Sequence, residues 1–279
     1  MGTAGDTMTV QAIWRYPVKS MGGEKLMEAP IERSGLTGDR AYALVDEAEA
    51  RVASAKLPRK WDALITAEAR FVGPPMDGKV PAARMRLPDG THILSDSPTV
   101  HDVLSRFVGR KVRITTTRPK AVSVERLDPL AEGEVIADIG ELMPEGRFAD
   151  YAPLHIITTS TLRELRRLNP QADFDERRFR PNLVIDIADS RGFAEQAWIG
   201  KTLTIGDMQA RISDPTPRCS VPTLAQSGLA KDRRILTTLV EHSRLPVALL
   251  GGELLPCAGV YAFVTEGGTV RAGDPVRIS

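Results

Sequence analysis

Met8, Val10, Ala12, Trp14 and Tyr16 fall on one face at a period of two, with Thr9, Gln11 and Arg15 opposite. That spacing predicts a half-buried strand, and Pro17, which has no N–H to give a ladder, stops it. Residues 41–45 predict a second strand, turned by the acidic stretch 46–49. Asp96-Ser97-Pro98 reads as a helix start, a capping side chain followed by proline in the first turn. Behind it Val100, Val103, Leu104, Phe107 and Val108 keep helical spacing until Gly109. Residues 112–116 predict a further strand. From 118 to 146 the chain carries Pro119, Pro129, Pro144 and many charges without a period. The junction between an N-terminal part, 1–118, and a C-terminal part, 119–279, is expected there.

In the second part residues 154–158 predict a strand. Thr159 or Ser160 is expected to cap a helix with Leu162, Leu165 and Leu168 on one side, ended by Asn169-Pro170. Residues 182–187 predict a buried strand. Residues 203–212 predict a hairpin turning at Gly206-Asp207, and residues 260–271 a second one turning at Gly267-Gly268. Short strands with glycine turns predict an α+β chain, mostly β: a curved sheet or barrel with a few helices.

Over the 279 residues, 37 Lys and Arg stand against 36 Asp and Glu, a formal net charge of +1. No broad basic field is available to draw a polyanion, so nucleic-acid binding is not expected, although a local basic pocket is compatible with the count. Two cysteines, Cys219 and Cys257, exclude a disulfide framework and a four-cysteine zinc site. The first eight residues lack the basic and apolar regions of a signal peptide, and the longest apolar run, residues 245–250, is too short for a bilayer. The expectation is a cytoplasmic protein with reduced thiols and no membrane contact.

No G-x-G-x-x-G opens a βαβ unit, and the chain has no G-x-x-x-x-G-K-[ST] phosphate loop and no G-x-S-x-G elbow. His92, His101, His155 and His242 lie far apart and outside metal-binding spacings, so each is expected at the surface or at a cap. Cys219 stands in the run from Asp214 to Thr223, where Pro215, Pro217 and Pro222 predict a stiff extended loop that is neither strand nor helix. Arg218 directly precedes the sulfur, and a cationic neighbour suits a sulfur acting as a nucleophile or as a ligand to a soft metal. A buried, inert cysteine fits the same residues, so both readings stand at this point. For Cys257 the inert reading is the expectation.

Three further polar clusters interrupt strand ends: Tyr16-Pro17-Val18-Lys19-Ser20, Gly35-Leu36-Thr37-Gly38-Asp39-Arg40 and Arg177-Arg178-Phe179-Arg180-Pro181-Asn182. They supply Lys19, Arg40 and Arg180, with Ser20 and Asn182 as neutral hydrogen-bonding partners. Brought together with Arg218, they would make a cationic pocket for one phosphate and a polar heterocycle next to Cys219.

These clusters, with Arg218-Cys219 and the closing Gly268-Thr269-Val270-Arg271-Ala272-Gly273-Asp274-Pro275-Val276, resemble in their order the MOSC-domain proteins. Within them the chain is similar to the mitochondrial amidoxime-reducing component and its bacterial relatives, from about Val10 to Ile278. The resemblance implies a MOSC-type β-barrel domain, 119–279, paired with an N-terminal β-rich domain, 1–118. It implies the molybdenum cofactor, a pterin dithiolene with a phosphate tail, with Cys219 as metal ligand and catalytic centre. Around that cofactor it places Lys19, Ser20, Arg40, Asp150, Tyr151, Arg180, Asn182 and Arg218. The family segment Asp-Thr-Ser-Pro stands here as Asp150-Tyr151-Ala152-Pro153, so two hydroxyls are lost and only backbone groups or the Tyr151 hydroxyl can replace them. Pro217 stands where some relatives have serine.

The implied activity is reduction of N-hydroxylated compounds (amidoximes, hydroxylamines) by oxygen-atom transfer. Electrons would come from separate proteins, a flavin reductase with a haem or iron–sulfur carrier, because two cysteines cannot hold a [2Fe–2S] cluster. The alternative is a non-catalytic carrier of the cofactor, or a sulfur-transfer protein. Pyridoxal phosphate enters only as a fold-family association, since no desulfurase domain accompanies these motifs. A thiol hydrolase built on Cys219 would need His155 or His242 as its partner.

Overall fold

The computed structural model describes residues 8–76, 78–117, 125–127, 135–138, 147–188 and 190–279. The expected junction at 118–146 lies, two short strands apart, outside the described residues. The alternating segment at the start forms β1 (Met8–Arg15), followed by β2 (Glu24–Leu26), β3 (Glu28–Glu32), β4 (Gly35–Leu36) and β5 (Ala43–Asp46). A one-turn α1 (Pro58–Trp61) precedes β6 (Glu68–Phe71), β7 (Ala83–Arg86) and β8 (His92–Leu94). Then come α2 (Val100–Val108), β9 (Val112–Thr115), β10 (Glu125–Leu127) and β11 (Val135–Asp138).

The C-terminal half starts with β12 (Leu154–Thr158), α3 (Thr159–Leu168), α4 (Glu176–Phe179) and β13 (Leu183–Ile187). It continues with β14 (Thr202–Ile205), β15 (Met208–Pro217), α5 (Arg234–His242) and β16 (Arg244–Val247). β17 (Glu253–Glu266), β18 (Gly268–Arg271) and β19 (Val276–Ile278) end the chain.

One large sheet runs in the order β19-β14-β15-β17-β12-β13-β1-β2, with β16 added to β17. The free edge of β1 meets the segment ahead of β19: Val10 N donates to Asp274 O at 3.0 Å, and Gly273 N donates to Val10 O at 2.8 Å. This contact closes the sheet into the expected barrel and removes the exposed edge. Alternate residues point inward, so Val10, Ile156, Leu183, Ile185, Leu203, Ile205, Ala210, Ile212, Val260 and Ala262 share one core. Ile157 and Val184, of the opposite parity, pack outward on α3 and α5 with Leu162, Leu165, Ile235 and Leu239, joined by Ala258 and by Ala12, which lies past a register shift after Val10. Strands buried on both faces carry apolar residues on both parities, as residues 154–158 and 183–187 do apart from His155, Thr158 and Asp186. A second core, built from Val18, Met21, Leu44, Trp61, Leu64, Met85, Leu104 and Val112, belongs to the N-terminal layer of β5 to β9 and α2.

Four local expectations are corrected. The helix after Asp96-Ser97-Pro98 begins at Val100 with Thr99 before it and no side-chain cap. The Ser97 hydroxyl is engaged with Thr99 at 3.2 Å, a local turn that competes with capping. The cap of α3 is neither Thr159 nor Ser160 but Thr158, whose Oγ1 accepts from Thr161 N at 3.1 Å. Thr158 ends a strand, and its extended backbone (φ −103°, ψ 154°) is what a capping residue needs.

The second hairpin does not form. β17 is bonded to β15 and β12, with β16 added at its start, so the chain crosses at Gly267 and β18 pairs with β3, Val270 opposite Ala29. Residues 214–217 are strand rather than loop: they end β15 opposite β17, with Pro217 facing Cys257. Register shifts between Ile212 and Asp214 and between Pro215 and Pro217 supply bulged positions where a missing proline N–H is tolerated.

Candidate functional site

Where the barrel meets the N-terminal layer, a cavity of about 1140 Å³, counting its open mouth, is lined by Lys19, Ser20, Arg40, Asp150, Tyr151, Arg180, Asn182, Arg218 and Cys219. Lys56, Tyr261, His155, Thr216, Ile65, Val221 and Leu250 complete much of the wall. The nine side chains expected from sequence thus come together, although they arrive from five separate stretches of chain.

The backbone fixes their approach. Arg40 N donates to Tyr16 O at 2.7 Å, Phe148 N donates to Arg40 O at 2.9 Å, and Lys19 N donates to Tyr42 O at 2.8 Å. Asn182 N donates to His155 O at 2.7 Å, and the Asn182 side-chain oxygen accepts from His155 N at 3.1 Å. Ser20 Oγ accepts from Ala55 N at 3.0 Å, tying the loop after β1 to the Lys56 segment. Ser20, Arg40 and Arg180 adopt left-handed backbone, with φ of 66°, 51° and 54°. Such residues cost roughly 1–2 kcal/mol each and are held only where surrounding bonds over-determine them.

Charge is distributed unevenly along the wall. Asp150 joins two lysines, Lys19 through one carboxylate oxygen and Lys56 through the other at 2.9 Å. Lys19 Nζ also donates to Phe148 O at 2.8 Å. Arg40 pairs with the buried Asp39, and the guanidiniums of Arg40 and Arg180 lie 4.9 and 4.3 Å from the Tyr16 ring centre. Burial pulls the Lys19 ammonium down to about 8 against the attraction of Asp150. Burial would raise the Asp150 carboxyl, but Lys19 and Lys56 hold it far below the usual carboxylate range. Burial also lowers Arg180, with the like charge of Arg40 adding to it, to about 10. Burial would lower Lys56 as well, but Asp150, Tyr261 and Cys219 together keep it above its ordinary value.

Arg218 borders the cavity with its donors committed elsewhere. Nε reaches Ala258 O at 2.9 Å, Nη1 reaches Phe179 O at 3.0 Å, and Nη2 donates to His155 Nε2 and again to Ala258 O. Arg178, another wall residue, donates to the carbonyls of Asp173, Pro222, Leu224 and Ala230 and so braces the chain after Cys219. The Tyr151 hydroxyl faces Asp214 Oδ2 at 3.4 Å, and its ring packs edge-on against Tyr261. Thr216 Oγ1 and Ser220 Oγ, which bracket Arg218-Cys219, are buried hydroxyls without a hydrogen-bond partner among the described residues.

His155 corrects the sequence expectation of a surface or capping histidine: it is buried in the wall. Burial, then the Arg218 charge, holds it well below its ordinary value, so the ring is neutral. Lys56 and Tyr261 carry no local motif, and Thr216, although inside the run around Cys219, has no sequence signal of its own. Cys219 and Cys257 are both buried; Cys257 packs with Val247 and Leu255 away from the cavity lining. No three His, Cys, Asp or Glu side chains are grouped to hold a metal ion among the described residues. Among them no helix is long and apolar enough to cross a membrane.

Comparison with known proteins gives two family matches along the chain. Residues 144–277 match the MOSC domain, and residues 7–72 match the MOSC N-terminal beta barrel domain. Mitochondrial amidoxime reducing component 2 of Rattus norvegicus is 26% identical over 287 residues, covering 96% of this chain and 82% of that protein. The Homo sapiens protein of the same name is 27% identical over 284 residues, again 96% and 82%. A solved structure, the YUAD protein from Bacillus subtilis, aligns with a TM-score of 0.47 and 10% identity over 98% of this chain and 95% of that one.

Proposed function

From the premise that the chain belongs to the MOSC-domain family, we propose that its cavity binds the molybdenum cofactor and that the loaded protein reduces N-hydroxylated compounds. The observation that carries the reading is an excess of enclosed positive charge around one buried sulfur. Lys19, Lys56, Arg40 and Arg180 line the cavity with Asp150 as the carboxylate in its wall. Enclosing that many cations is unfavourable unless an anion joins them. A phosphate-bearing pterin dithiolene is such an anion, and Thr216, in the cavity wall, has a buried hydroxyl that the protein itself leaves unpartnered. With a single cysteine in the wall, a metal there would take its other donors from outside the chain, which suits a dithiolene.

In this reading Cys219 is the protein's ligand to the metal. Lys19, Arg40 and Arg180 hold the phosphate and pterin. Asn182 and Ser20 keep the loops in place through the bonds to His155 N and Ala55 N. Arg218 acts as a strut that seats the Cys219 loop against β17 through Ala258 O. The bound centre supplies two-electron oxygen-atom chemistry, and the protein supplies binding, orientation and the surrounding charge. The net conversion takes R–NH–OH, two electrons and two protons to R–NH2 and water. The electrons come from separate carrier proteins, a flavin reductase with a haem or iron–sulfur protein.

The test compares wild type with Cys219→Ala, both produced in a host that makes the cofactor. Wild type should contain about one molybdenum per chain and reduce benzamidoxime with a competent electron donor. The variant should keep its fold and lose reduction. Full activity in the variant would refute the ligand assignment, and full molybdenum loading without reduction of any N-hydroxylated compound would leave a carrier.

A further inference from the structure

We propose that Lys56 binds the oxygen of the substrate's N–O group beside Cys219, so that the cavity has an anion-holding end and a distinct substrate end. The proposal rests on the function proposed above. The cationic side chains of the wall divide by what they touch. The guanidiniums of Arg178 and Arg218 donate to main-chain carbonyls and face no ligand. Arg40 and Arg180 lie together over the Tyr16 ring, each with one donor on a main-chain carbonyl (Arg180 O and Met21 O) and Arg40 paired with Asp39. Lys19 sits between, on Phe148 O and one oxygen of Asp150. Lys56 takes the other oxygen of Asp150 at 2.9 Å.

Packing, rather than charge alone, puts Lys56 near the sulfur. Its neighbour Ala55 belongs to a small apolar cluster with Ile65 and Leu224, against which Val221 packs. Val221 lies two residues after Cys219, so the segment bearing the ammonium and the segment bearing the sulfur are pressed together. Of the cavity-lining residues in these two segments and their packing cluster, Ile65, Val221 and Pro222 are apolar, while Asp150 and Tyr261 supply the polar groups close to the ammonium. An ammonium offers three N–H donors, and one carboxylate oxygen uses one of them. The surroundings of Cys219 therefore combine apolar side chains with an ammonium that keeps N–H donors beyond its bond to Asp150, which matches a flat apolar amidine or amine whose N–O oxygen accepts a hydrogen bond.

The first test uses full-length protein made without the cofactor. Alkylation of Cys219 by anionic iodoacetate and by neutral iodoacetamide is followed by mass spectrometry of the Cys219 peptide. Lys56→Met, with Lys56→Gln as a second neutral variant, should lower the iodoacetate-to-iodoacetamide rate ratio about fivefold, as expected for removing a unit charge that acts on the reacting sulfur. Lys56→Arg should restore it to within about twofold. An unchanged ratio in both neutral variants overturns the placement of Lys56.

The second test uses the molybdenum-loaded protein. Lys56→Met should retain wild-type molybdenum content and raise the KM for benzamidoxime about tenfold, with kcat changed less than about threefold. A lowered alkylation ratio together with lost molybdenum would place Lys56 in the hold on the cofactor and overturn the substrate assignment. If wild type itself neither loads molybdenum nor reduces benzamidoxime, the proposed function fails and the substrate role with it. The alkylation ratio still decides whether Lys56 faces the sulfur.

Discussion

Arg218 and His155 satisfy one another within the cavity wall. The guanidinium donates to His155 Nε2, and the other ring nitrogen lies 3.3 Å from Arg180 O, which assigns its proton to Nδ1. A neutral imidazole thereby links the residue before the cysteine to the left-handed residue Arg180, whose neighbour Phe179 also accepts from Arg218.

Replacing His155 by leucine should remove both bonds and leave a buried guanidinium N–H under-satisfied, at a cost of about 2 kcal/mol. His155→Gln, which keeps an acceptor, should lose about half as much. Calorimetric melting measures this, and an unchanged transition for the leucine variant would show that the pair carries no stability. The pH dependence has a definite sign. Below the ordinary histidine value of 6.5 the unfolded chain binds a proton that folded His155 refuses. Stability therefore falls as pH drops below that point, and His155→Gln should fall less steeply.

Gly259 makes room for that ring. A Cβ at this position would lie 2.4 Å from His155 Nε2 and 2.5 Å from Ile156 O, and its φ of +79° disfavours any side chain. Gly259→Ala should destabilise the protein by about 3 kcal/mol or more. A melting point equal to wild type would mean that the His155 ring can move without consequence.

Lys19 should give anion binding a pH limit. Its ammonium is lowered by burial to about 8, so the cofactor-free protein should bind inorganic phosphate progressively more weakly as pH rises through that value. Lys19→Met should bind weakly with no such dependence; isothermal titration between pH 6.5 and about 9.5 checks both. Stability moves the other way: between about 8 and the ordinary 10.5 the unfolded chain keeps a proton that folded Lys19 has lost. Raising the pH across that window removes a penalty on folding.

Asp150→Asn should leave Lys19 and Lys56 without their shared counter-charge. The cofactor-free variant should lose about 2 kcal/mol of stability and bind phosphate several-fold more tightly than wild type. Weaker phosphate binding would show instead that Asp150 is needed to aim the two lysines.

Much of the barrel was legible along the chain because strand alternation is a local property. Residues 154–158, 183–187, 203–205 and 208–212 declare their apolar faces by spacing or by continuous runs, and the closing of the barrel uses those faces. What failed was decided between distant segments. The turn at Gly267 was read as a hairpin because neighbouring strands usually pair, but β15 and β12 already occupy β17 and β3 offers a free edge. The capping of α3 turned on one residue, Thr158, whose extended backbone is set by its place in the sheet.

The sequence alone determined the alternation that builds the sheet, the loops that bear Lys19, Arg40, Arg180 and Cys219, and the small set of residue types available for chemistry, because each of these is written in adjacent residues. The tertiary structure decided which charges are free to meet a ligand. Arg218 stands next to Cys219 in the chain, yet its guanidinium is held by Ala258, Phe179 and His155. Lys56 lies 163 positions from Cys219 and lines the same cavity as the sulfur. Hydrogen-bond satisfaction and burial depend on every element packed around a group, and no stretch of sequence contains that information by itself.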